Sequence, residues 1–365
     1  MNKAILVMST QYPSYGGAGT NTYAIIKYLR KSGYNAIGIF IEDKTDIVVD
    51  PDKIGHIYRI SWYPFVYNVK PKIIEYRKLF DSLIKGLPSL ILCKNYFAPV
   101  CSKILYPTVK TIYLVSGVSC AIDICSNIPA NQLISKNTLL NQDKNDLNAI
   151  KNSDLVVNNS QLSLDIFNRT FSEYRHKIYQ NAIDTTKYIS YLIDTSRKIN
   201  VYEKKYDFIV VSSILTRREK NNLFLLNMFN NPTFNQYTKL IVGEDNKDFI
   251  DVPNSTVLDL IPHSELMSLM RQSKILLYPS LYDSNPNTIR EANYNKCIVL
   301  ISNNIGYYEL FPEMSVCKSY DINEWITKSL YLVKNYYDLI KNYQVNLDTC
   351  IKDDLLDLIS QSIKL

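Results

Sequence analysis

The feature that most restricts this chain is a repeating order of apolar run, polar or glycine-bearing loop and amphipathic helix. Residues 3 to 9, Lys3-Ala-Ile-Leu-Val-Met8 and Ser9, read as a buried strand; Gln11 to Gly19 is a loop; and residues 20 to 32 carry Tyr23, Ile25, Ile26 and Leu29 at helical spacing. After Gly33 a second apolar run at 35 to 41 completes a strand-helix-strand unit. Strands joined in this way lie parallel in one sheet, because the helix carries the chain back to the end from which it started. Further strands are expected at Thr111 to Val115, Leu155 to Asn158 and Lys177 to Tyr179, with helices across 71 to 85 and 160 to 168. The segment Gly117 to Lys136 has weak periodicity and reads as a long functional loop.

The same order returns in the second half. Strands are expected near 207 to 212, 238 to 242, 256 to 258, 275 to 278 and 298 to 301, with helices near 220 to 229, 264 to 271 and 288 to 296. At 365 residues the chain exceeds what one core usually supports, so an α/β fold of two doubly wound domains facing a cleft is the economical reading. The polar stretch before Asp207 places the linker at 188 to 204, between an N-terminal domain at 1 to 187 and a C-terminal domain at 205 to 342. Helical patterns at 323 to 339 and 348 to 363 follow, and the segment 343 to 365 is expected to return to the first domain.

Charge and cysteine usage narrow the classes. The net charge of +6 is concentrated between Lys53 and Lys110, where ten Lys or Arg face two acids. Such an excess fits an anionic partner or membrane surface, and equally a solvated face. Nucleic acid is not expected as a partner, since no helix-turn-helix, zinc-finger or RNP-type pattern accompanies the charge. Seven scattered cysteines without CxxC pairs argue for reduced thiols in the cytoplasm and against structural zinc. The short apolar runs make any membrane attachment peripheral.

Three loops carry the chemistry. The first, Ser9 to Thr20, holds Gly16 and Gly17 between strand and helix, where free backbone N–H groups favour an oxyanion; a packing turn explains the same glycines. The second, Ser212 to Asn222, supplies Arg217, Arg218 and Lys220 beyond a strand end, where Arg grips phosphate as a planar fork and Lys as a point charge. The third, Tyr278 to Ala292, places Asp283 in a polar turn, Asn287 and Thr288 at a helix start, and Glu291 one turn further, suited to paired ribose hydroxyls. Singly, each residue is as well explained as a surface charge, a cap or a turn former.

Taken in order, these segments resemble the retaining glycosyltransferases of GT-B architecture, specifically glycosyltransferase family 4, the group 1 glycosyl transferases. The family's acidic residue, seven others and a Glu-Ala pair appear here as Asp283 to Glu291-Ala292 after Pro279-Ser280, with Asp in place of the usual Glu. Asn181-Ala182-Ile183-Asp184 matches its Asn-Gly-Val-Asp turn with Ala182 for Gly. The family's Gly-Arg before the phosphate-binding Lys is Ser212-Ser213, its donor-side His is Ser116, and its Gly-x-Pro is Lys296-Cys297-Ile298. None of His56, His176 and His263 takes the place of that His.

The resemblance implies transfer of a sugar from a nucleoside-diphosphate donor to a hydroxyl of a glycan or glycolipid, with retention and no obligatory metal or cofactor. It assigns Asp283, Lys220, Arg218 and Ser116 to catalysis. It assigns Gly16, Gly17, Arg217, Arg218, Lys220, Ile261, Asn287, Thr288 and Glu291 to the nucleotide sugar, with UDP favoured over GDP. The alternatives are a catalytically weakened sugar-nucleotide or glycan-binding protein of the same fold and, further off, a nucleotide-sugar epimerase.

Overall fold

Period-two alternation along a strand sends successive side chains to opposite faces, so a sheet covered on both sides needs apolar residues at every position. The first strand meets that condition. In the computed structural model, which describes residues 4–11, 17–42, 48–49, 57–117, 136–180, 182–183, 204–343, 345 and 355–364, Ala4, Leu6 and Met8 enter one core while Ile5 and Val7 enter a second on the other face. The described residues up to Ile183, with the last helix, form one unit, and those from Lys204 to Val345 form another.

Unit 1 runs β1 (Ala4–Ser9), α1 (Gly17–Lys31), β2 (Asn35–Glu42), β3 (Val48–Val49), β4 (Ile57–Ser61), α2 (Tyr63–Val66) and α3 (Lys70–Ile84). It continues through β5 (Leu90–Lys94), α4 (Phe97–Leu105), β6 (Thr111–Leu114), α5 (Lys136–Lys151), β7 (Leu155–Val157) and α6 (Gln161–Thr170). The sheet order is β3-β4-β2-β1-β5-β6-β7, parallel throughout except for the β3 edge. Helix α6 is capped by Ser160, whose hydroxyl accepts from the Ser163 amide and satisfies one of the donors a helix start leaves open. The expected strand at Lys177 to Tyr179 does not form. Ser172–Lys177 is a 3-10 helix, and Ile178 makes a single parallel bridge to Val156, because the preceding turns spend the backbone groups a longer ladder would need.

Unit 2 runs β8 (Tyr206–Ile214), α7 (Leu223–Phe229), β9 (Lys239–Glu244), β10 (Ser255–Leu258), α8 (His263–Arg271), β11 (Ser273–Tyr278) and α9 (Asn287–Tyr294). It ends with β12 (Ile298–Ser302), β13 (Val316–Cys317), α10 (Ile322–Lys334) and α11 (Tyr336–Asn342). Its sheet is β10-β9-β8-β11-β12-β13, with every pairing parallel. The helix expected over 323 to 339 is broken at Asn335, where the backbone leaves helical geometry and the Asn335 amide side chain turns back to the Tyr331 carbonyl. The helix expected to run to 296 stops at Tyr294, because Lys296 takes a left-handed φ of 55°.

The final helix α12 (Leu355–Lys364) belongs to unit 1, where Leu355, Leu358 and Ile359 join the core formed by Ile5, Ile25 and Leu92. The Tyr34 and Ser360 hydroxyls meet at 3.3 Å. Gly16, residues 118–135 of the loop expected at 117–136 and residues 188–203 of the linker expected at 188–204 lie outside the described residues, as do Asn181 and Asp184 of the turn quoted above. Among the described residues, no helix is long and apolar enough to cross a membrane.

Candidate active site

In an open parallel sheet, ligands collect at the carboxyl ends of the strands where the strand order reverses, since the flanking connections leave there in opposite directions and open a crevice. In unit 2 that point lies between β8 and β11. The loops that follow these two strands are the basic and the acidic loop of the sequence.

The β8 loop begins with a bulge. Val211 and Ile214 pair with Val242 and Glu244, so β8 spends one residue more than its partner and carries the strand through Ser212 and Ser213. Gly243 makes room for this. Its φ is +152°, and a Cβ there would stand 2.1 Å from the Ser212 carbonyl oxygen. Beyond the bulge Arg218–Lys220 form one 3-10 turn, closed by Asn221 in the left-handed conformation at φ 53°.

The two loops are stitched together. The Glu219 carbonyl accepts from the Ser280 hydroxyl at 2.6 Å and from the Leu281 amide at 2.8 Å. Asp283 is fixed by a parallel bridge to Ile305, its amide donating to Asn304 and its carbonyl accepting from Gly306. Lys220 and Asp283 are thereby brought into an ion pair through Asp283 Oδ2. Tyr278, the last residue of β11, completes the cluster: its hydroxyl oxygen accepts from Lys220 Nζ at 2.7 Å, and its O–H donates to the same Asp283 Oδ2 at 2.6 Å. Burial first, and the Asp283 charge second, hold the Tyr278 phenol far above the ordinary tyrosine range. It therefore stays a neutral donor. The other Asp283 oxygen accepts from the Asn285 amide at 3.3 Å.

Of the remaining predicted residues, Arg217 is paired with Glu219 inside its own loop, and Arg218 is half-buried in the 3-10 turn. Asn287 and Thr288 are the first two residues of α9, where unbonded N–H groups and the helix dipole favour an anion. Ile261 packs against the unit 2 core just before α8. Glu291 is 8% exposed on α9, and its Oε1 lies 2.8 Å from Nε2 of His263, the first residue of α8. That hydrogen bond raises the His263 pKa above its ordinary value against a smaller opposing effect of burial. Gly17 opens α1, and Ser116 follows β6; both belong to unit 1.

The sequence reading missed two members of this constellation. Tyr278 carried a signal, a tyrosine at the carboxyl end of a parallel strand five residues from an acid. His263 carried none, because its contact with Glu291 spans 28 positions. Among the described residues, no group of His, Cys, Asp and Glu is arranged to hold a metal ion.

At the level of sequence, neither protein-family models nor curated proteins give a match. Solved structures do. Sucrose-phosphate synthase from Thermosynechococcus elongatus is 12% identical with a TM-score of 0.68, covering 98% of this chain and 97% of its own. HepE of Anabaena, in complex with UDP-glucose, is 14% identical with a TM-score of 0.67, covering 99% and 98%. A glycosyltransferase from Rickettsia africae ESF-5 is 16% identical with a TM-score of 0.63, covering all of both chains. The chain has the GT-B fold, an α/β architecture with two Rossmann-like domains.

Proposed function

We propose that this protein is a retaining glycosyltransferase that moves a hexose from a nucleoside diphosphate to a hydroxyl of a glycan or glycolipid. The observation that carries this reading is the Lys220, Tyr278 and Asp283 cluster at the strand-order reversal of unit 2, with buried Glu291 on the helix that follows. Unit 2 is the donor domain in this reading, and unit 1 is the acceptor domain. The complexes of similar folds with UDP-glucose, and of an α-glucosyltransferase with UDP and DNA, support a UDP-sugar over a GDP-sugar.

In the proposed reaction the bond from sugar C1 to the diphosphate oxygen breaks, and the acceptor oxygen bonds to C1 on the same face. The acceptor proton passes to the departing phosphate oxygen. Lys220, Arg217 or Arg218, and the N–H groups at the start of α9 offset the charge that grows on the diphosphate, and this charge stabilisation is where most of the rate arises. Asp283, held by Lys220 and Tyr278, orients the sugar. Glu291 accepts from the ribose hydroxyls. Since the cations of the 217–220 loop do this work, transfer is expected to proceed at an unchanged rate in excess EDTA.

A product screen across UDP- and GDP-sugars with glycan and glycolipid acceptors tests the reading directly. Glu291→Ala is expected to weaken nucleotide binding about tenfold or more, the usual cost of losing hydrogen bonds to a charged group. Donor binding without turnover under any acceptor would instead establish a sugar-nucleotide-binding protein. No binding of any nucleotide would sink the proposal.

A second observation bears on the acceptor. On unit 1, Tyr63, Val66, Tyr67 and Ile74 are all more than half exposed, and the Tyr63 and Tyr67 rings lie 4.5 Å apart. Lys70, Lys72, Arg77 and Lys78 stand on the adjoining α3. Exposed aromatics beside lysines fit an anionic lipid surface, which supports peripheral attachment and an anionic glycolipid acceptor. Flotation is expected with anionic and not with neutral liposomes, weakening at high salt, and lost when the four cations of α3 are replaced. Equal recovery of wild type and variant would overturn the membrane assignment.

A further inference from the structure

Glu291 is a long side chain with an acid at its end, and a carboxylate meant to receive two neighbouring hydroxyls must present a free oxygen in a fixed direction. Oε1 is held by His263 Nε2 at 2.8 Å, whereas among the described residues no protein group is bonded to Oε2. The exposures differ: the His263 side chain is 54% exposed and that of Glu291 11%, so the ring is the more exposed member of the pair. Pro262, at φ −56°, precedes His263 directly and fixes where the helix begins. Lower down, Asn295 Nδ2 donates to the Glu291 carbonyl at 2.7 Å and to Met267 Sδ at 3.2 Å, which ties α9 to α8 and holds the two side chains in register.

We infer that His263 is a positioning residue for ribose recognition, pinning one oxygen of Glu291 so that the other meets the vicinal hydroxyls of the nucleotide. This rests on the donor-site reading above and adds a determinant that the sequence pattern of that site does not contain. A pinned carboxylate discriminates better than a mobile one, because a mobile one must be ordered anew each time ligand binds and can turn its free oxygen to water. Selectivity for the intact ribose diol is therefore a property of the pair.

The test compares UDP with its 2′-deoxy and 3′-deoxy counterparts by titration calorimetry, with GDP and its deoxy forms in parallel. Wild type should bind the intact nucleotide about tenfold more tightly than the form lacking the contacted hydroxyl. In His263→Ala this preference should shrink to within about twofold, mainly by weaker binding of the intact nucleotide. His263→Phe keeps a ring but removes the N–H and should behave in the same way, which separates the hydrogen bond from simple packing. Unaltered thermal unfolding of both variants would establish that the fold is not the cause. Full ribose preference in either folded variant overturns the role of His263 while leaving the donor site intact. A wild type that binds neither nucleotide overturns the function and this assignment together.

Discussion

Lys220→Ala is expected to lower transfer by about two to three orders of magnitude in kcat/KM, the range seen when a group that meets developing charge is removed from a closed site. The reason is specific to the cluster. Lys220 is 20% exposed and bonds both Asp283 and Tyr278, so its charge is already held in place before a diphosphate arrives. Stability should fall much less, since Asp283 keeps its bonds from Tyr278 and from the Asn285 amide. Lys220→Arg should recover only part of the rate, because a planar fork cannot occupy the point that Nζ shares with the phenol and the carboxylate. Steady-state kinetics beside urea denaturation separate the two effects. Activity within threefold of wild type for the alanine variant would remove Lys220 from the mechanism.

Gly243→Ala is expected to destabilise unit 2 by about 3 kcal/mol, the upper end of the cost of a residue forced into a glycine-only backbone region. Strain is only part of it. The added Cβ would meet the Ser212 carbonyl oxygen at 2.1 Å and Leu215 Cγ at 3.1 Å, and the first of these is backbone inside the central strand. Relief requires the β8 bulge to open, which displaces the turn that carries Arg218 and Lys220. The expected result is therefore a lower urea midpoint together with weaker nucleotide binding. Trp325, fully buried in unit 2, reports the transition by fluorescence. An unchanged midpoint would show that the bulge does not need glycine beside it.

Sequence periodicity located much of the fold because its causes are local. The β1-α1-β2 unit is legible from alternating apolar residues, a glycine loop and a helical stripe, and the five core strands of unit 2 were found within two residues at each end. Where non-local terms decide, the reading failed. Ile57–Ser61 and Leu90–Lys94 are strands only because they add to a sheet already built by β1 and β2, and β13 is two residues long. At Lys177 to Tyr179 the β pattern was present, but the chain offered it only one free bridge. Ser212-Ser213 read as the start of the second loop and is instead a bulged stretch of β8, because Gly243 on the neighbouring strand leaves the space the bulge needs.

The site divides in the same way. The amino-acid sequence by itself determined which residue types stand after which strands: cations after β8, an acid after β11, and a Glu one turn into the following helix. That much follows from spacing, because a strand end and a helix start fix where a side chain emerges along the chain. Only the tertiary structure decided which of these groups meet. Strand order places β8 beside β11, although 58 residues separate Lys220 from Tyr278, and so turns two separate loops into one cluster. It also sets His263 against Glu291 from a different helix and pairs Arg217 with its own loop. The physical reason is that hydrogen bonds and ion pairs depend on separations of a few ångströms, which neighbouring strands impose and sequence distance does not encode.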